Sequence, residues 1–78
     1  MNVISRTYKL FKVSSKGSGE KFIKEFNTNQ EAILKIRSIL GLMEFRKCII
    51  DHDSYTGTDI YKDGKKIFVI HKELIYDI

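Results

Sequence analysis

The chain has 78 residues, a net charge of +4 from fourteen basic and ten acidic side chains, and a single cysteine. That length supports one domain, residues 1–78, with a modest core, and one cysteine excludes an intrachain disulfide scaffold. Hydrophobic residues make up 42% and proline is absent, which excludes a disordered chain, and no apolar run approaches the ~20 residues of a membrane span.

A lone cysteine fits a reducing cytoplasm better than an oxidised secreted scaffold, so a cytoplasmic location with no membrane partner is expected. Lysine outnumbers arginine eleven to three amid many Ile and Asn. Such usage accompanies AT-rich genomes and suits an accessory protein of a bacterium or phage.

The first element is TYKLFKV, residues 7–13, where apolar and basic residues alternate as in a half-buried strand. The turn-forming SSKGSG follows, and EKFIKEF, residues 20–26, is the second strand. Pairing Lys9 with Glu25 sets Tyr8 opposite Phe26 and Phe11 opposite Ile23, all favourable across an antiparallel ladder. A shift by one residue would face Lys9 with Lys24 and Lys12 with Lys21. The first register is the expected one.

A helix comes next. Thr28 and Glu31 form an S/T-x-x-E capping box, and Ala32, Ile33, Ile36, Ile39, Leu40 and Met43 recur at helical spacing. Gly41 can close the helix in the left-handed region. EFRKCII, residues 44–50, reads as the third strand. In TDIYKDGKKIFVIH, Asp63-Gly64 marks a two-residue hairpin that would place Ile60 opposite Ile67. KELIYDI is either an extension of the last strand or a closing turn. The expected fold is α+β, an antiparallel sheet and one helix in two layers, ordered β-β-α-β-β-β.

DHDSYTGTD, residues 51–59, concentrates titratable and hydroxyl groups. As a calcium loop it fails: Tyr55 holds the fifth position, Gly57 comes one place late, and Lys62 stands where a bidentate glutamate is required. Asp51, His52 and Asp53 are consecutive, so on extended backbone their side chains diverge. Asp, Ser and Gly are what connections between strands are made of, and a loop is expected there. No nucleophile elbow or phosphate-binding glycine loop occurs. The reading is non-enzymatic, with no catalytic residue, metal or cofactor.

Two binding surfaces remain. Arg6, Lys9, Lys12, Lys16, Lys21 and Lys24 interleave with aromatics on the first hairpin, a pattern that can track phosphates. In the expected register, Phe11, Val13 and Ile23 share the hairpin face opposite Tyr8, Leu10, Phe22 and Phe26. One helix covers one face of a small sheet, so the first set is left for the tail, closure of the sheet into a barrel, a second copy of the chain or another protein. The sequence therefore points to an interaction module that binds a protein partner or itself through Phe11, Val13 and Ile23. The alternative is a nucleic-acid-binding protein using the six basic residues.

Overall fold

The computed structural model describes residues 3–14, 19–53 and 55–76. In chain order these form β1 (Val3–Val13), β2 (Glu20–Phe26), α1 (Asn29–Leu40), α2 (Leu42–Arg46), β3 (Ile49–Asp53), β4 (Gly57–Lys62) and β5 (Lys65–Tyr76). All five strands pair antiparallel in one sheet of order β2-β1-β5-β4-β3. The helices pack on one side of it. The architecture is α+β, as expected, with a second short helix in the order β-β-α-α-β-β-β.

The core lies between α1 and the middle of the sheet. Leu10, Ile60, Phe68 and Ile70 project from three adjacent strands, and Ala32 and Ile36 meet them from α1; all six are buried. At the start of the helix the Thr28 hydroxyl accepts a hydrogen bond from the Glu31 amide at 3.1 Å. At its end Gly41, φ 85°, donates its amide to the Arg37 carbonyl. Ile33 and Leu40 pack against the core. Ile39 and Met43, expected in the same stripe, are 46% and 77% exposed. Met43 belongs to α2, whose axis starts afresh after Gly41.

Helix α2 corrects the third strand. EFRKCII was expected to be extended throughout, but Phe45 is helical and β3 begins at Ile49. Phe45 and Cys48 pack against the core from this turn. Burial raises the Cys48 thiol above its ordinary range.

Two bulges reset the expected registers. Lys9 does face Glu25 and Tyr8 faces Phe26, but the ladder slips between Leu10 and Phe11, so Phe11 faces Phe22. An extra residue at a bulge keeps two neighbouring side chains on one side of the sheet. Ile23 therefore joins Lys24 opposite Leu10 and packs against the core, while Phe22 moves to the other face beside Phe11. The set Phe11, Val13 and Ile23 is not a shared surface. Beyond the slip, Lys12 faces Lys21, the like-charge pair that the unbulged register avoids.

The second slip lies in the last hairpin. Asp63 (φ 53°) and Gly64 (φ 77°) both occupy the left-handed region, as a two-residue turn of this kind requires. Lys62 faces Lys65, but Ile60 faces Phe68 rather than Ile67. KELIYDI is a strand extension as far as Tyr76, and it pairs with the first half of β1. As far as Tyr76 it runs within the sheet and does not cover its second face.

Candidate functional site

The stretch 51–59 is a hairpin rather than a simple loop: Asp51–Asp53 end β3 and Gly57–Asp59 begin β4. The Asp53 carboxylate accepts the Tyr55 and Thr56 amides at 2.7 and 3.2 Å, and these two bonds hold its pKa below the usual range. His52 Nδ1 lies 2.9 Å from the Thr58 hydroxyl, which donates to Asn29 Oδ1 at 3.1 Å. Because Thr58 spends its one proton on Asn29, His52 donates from Nδ1. This chain of bonds ties β3 and β4 to the start of α1. A shallow cleft of about 240 Å³ runs past Asp51, Asp53, Asp59 and His71. Among the described residues, no three His, Cys, Asp or Glu side chains are placed to hold a metal.

The sheet face away from the helices is bound by two ion pairs and a histidine–carboxylate hydrogen bond. Lys9 reaches Glu73 at 3.0 Å, Lys66 reaches Asp59 at 3.4 Å, and His71 reaches Glu20 at 3.0 Å. Between them Phe11 meets Phe22 and His71 edge to face, with ring centroids 5.5 and 5.0 Å apart. Phe22 stays 52% exposed.

The other end of the sheet is different in kind. An open cleft of about 1480 Å³ lies between the last turn of α1 and the strand ends. Ile39, Leu40, Ile67 and Phe68 supply an aliphatic and buried-aromatic floor, Lys12, Lys21, Lys62 and Lys65 stand around it, and Lys66 and Glu20, whose charged ends turn to Asp59 and His71, complete its edge. Exposed Ile39 is thus part of this floor.

Strand pairing explains why the lysines converge. Lys12 faces Lys21 and Lys62 faces Lys65. Lys12 and Lys62 lie two residues beyond the core residues Leu10 and Ile60, so both point to the helix side, and Lys21 and Lys65, paired opposite them, share that side. They sit on β2, β1, β5 and β4, four neighbouring strands, which gives a lateral reach of about 14 Å at the usual strand spacing. Like charges directly opposite each other are unfavourable. The fold places two such pairs at one cleft.

Two of the five lysines are already engaged. Lys62 is paired with Glu44 and Lys66 with Asp59. Lys62, then Lys47, lowers the Glu44 pKa, and the Glu44 hydrogen bond raises that of Lys62. Among the described residues, Lys12, Lys21 and Lys65 have no carboxylate within ion-pair distance. The α1 C-terminus adds roughly half a negative charge, too little to cancel three ammonium groups.

Of the six basic residues expected to act together, the structure brings Lys12 and Lys21 to the cleft. Lys9 lies on the opposite face. Lys24 sits over the Phe26 ring, Arg6 lies near the far end of β1, and Lys16 lies outside the described residues. Lys62, Lys65 and Lys66 were missed. The pairing of Lys62 with Lys65 was legible locally, since a two-residue Asp-Gly turn obliges them to face each other, but their place beside Lys12 and Lys21 was not. Among the described residues no helix is long and apolar enough to cross a membrane.

No family model matches the chain, and neither the curated proteins nor the solved structures searched contain a match.

Proposed function

We propose that this protein is a small non-enzymatic binding module that holds nucleic acid through its backbone phosphates, with the lysine-lined cleft as the site. The observation that carries this reading is the pair of like-charge ladders, Lys12–Lys21 and Lys62–Lys65, converging on one cleft. Their mutual repulsion is relieved by an anion placed between them. A phosphate chain supplies several anions at a spacing the lysine row can follow. A cytoplasmic setting, and a role as an accessory protein of a bacterium or phage, accord with this partner.

Lys21→Glu tests it. The change puts opposite charges across the ladder, so thermal stability should rise by about 0.2–1 kcal/mol. Binding of a fluorescent DNA should weaken at the same time. For three phosphate contacts the starting protein should show a log–log salt slope of about −3, and loss of two should bring it to about −1. General damage to the fold would lower stability and binding together. A variant that is more stable and binds DNA as well as before would remove the cleft from consideration.

A second reading is a protein contact, or a second copy, on the face carrying Phe11 and Phe22. It is favoured by the 52% exposure of Phe22 on a face no helix covers. Such a contact would respond little to salt, and Phe22→Lys should abolish it while leaving the fold intact. Sedimentation of that variant, alone and with a captured partner, checks the expectation. Unchanged assembly in the variant would dismiss this surface.

A further inference from the structure

Resting on the nucleic-acid reading of the cleft, we infer that the ligand is a duplex, gripped by phosphate density alone, in preference to a single strand. Proteins that prefer single strands combine a basic groove with aromatic rings on which bases stack, and one stacked base strengthens binding by roughly five- to 150-fold. Among the described residues, this cleft has no such platform. Its aromatic floor residue, Phe68, is 2% exposed, and the rest of the floor is aliphatic.

The aromatics that are exposed lie elsewhere. Phe22 projects from the opposite face of the sheet, because the bulge at Ile23 turns it toward Phe11. Tyr55, 84% exposed, is in the β3–β4 turn, at the end of β4 remote from Lys62. Tyr76 ends β5, at the end opposite Lys65. A base held near Lys12 and Lys21 therefore finds aliphatic side chains under it. It finds no ring.

Without stacking, the number of counterions released at each phosphate decides the preference. Each contact contributes a salt exponent of about 0.9 on B-form duplex and about 0.7 on single strands. For Lys12, Lys21 and Lys65, which have no carboxylate partner among the described residues, that difference amounts to roughly sixfold tighter duplex binding at about 50 mM salt. No base edge is read, so AT-rich and GC-rich duplexes should bind alike.

The experiment is fluorescence anisotropy of the full chain at about 50 mM salt with three probes: an AT-rich duplex, a GC-rich duplex and oligo-dT of the same length. Both duplexes should bind with affinities within about twofold of each other and roughly sixfold tighter than oligo-dT. Phe22→Ala should leave that ratio unchanged, and Lys21→Glu should weaken all three complexes. Oligo-dT binding as tightly as duplex, a loss of oligo-dT affinity in Phe22→Ala, or a tenfold preference between duplexes would overturn the inference while leaving nucleic-acid binding in place. No binding to any probe, or binding indifferent to Lys21→Glu, would overturn the underlying reading as well.

Discussion

Gly57→Ala should be among the most damaging single substitutions in this chain. A Cβ at residue 57 would stand 1.9 Å from the Ile70 carbonyl oxygen and 3.1 Å from the Lys72 amide nitrogen. Both are backbone atoms of β5, so no side-chain rotation clears the space. Gly57 also has φ 129°, a region in which side chains are strained by about 1–3 kcal/mol before any collision. Relief requires β4 to draw away from β5 where Thr58, 2% exposed, links His52 to Asn29. A loss of about 3 kcal/mol or more lowers the melting temperature of a domain this size by at least about 12 °C. Gly64→Ala is the control, since φ is 77° but nothing lies within 4 Å of its added Cβ. Equal melting temperatures for the two variants would show that the close approach of β4 to β5 is not what requires the glycine.

Phe68→Ala should cost about 3–5 kcal/mol, the range for removing a buried aromatic. Phe68 is 2% exposed and shares the core with Leu10, Ile36, Ile60 and Ile70. It faces Lys12 on β1 and Ile60 on β4, so the resulting void adjoins the floor of the lysine cleft. Small domains have little stability to lose, and a 78-residue chain cannot absorb such a change without visible unfolding. Urea titration followed by circular dichroism gives the number. A loss under about 1 kcal/mol would mean that the site refills by collapse of α1 onto the sheet.

Much of this architecture was legible from local rules. The Thr28 cap, the Gly41 stop and the Asp63-Gly64 turn are each set by residues within a few positions of one another, and each occurs where expected. The first half of the β1–β2 register was equally legible, because Lys9–Glu25 and Tyr8–Phe26 are favourable pairs that need no tertiary context. The bulge at Ile23 was not. It forms where β2 must offer an apolar side chain to the core while Phe22 joins Phe11 and His71 on the other face, and pairwise charge rules cannot sense that demand. Helix α2 was missed for a related reason. Five residues are too few to show a period, and Phe45 and Cys48 suit a strand as well as a helical turn.

The cleft was the least legible part. Lys12 and Lys21 were singled out, but as members of a basic hairpin whose other lysines go to different faces. Seeing Lys62 and Lys65 beside them requires knowing that β5 inserts between β1 and β4, which no local spacing reveals.

That insertion also governs the order of events when the chain is made. The first strand pairs along its length with the last, from Val3–Tyr76 to Lys12–Phe68. At synthesis rates of 5–20 residues per second, about 3 to 13 s separate completion of β1 from completion of β5. During that interval β1 has only β2 beside it, Leu10 lacks Ile70 and Phe68, and α1 has half a floor to rest on. Non-local pairing of this kind makes for slow folding. The N-terminal hairpin therefore waits, with the apolar side chains that face β5 uncovered, until β5 itself has been made.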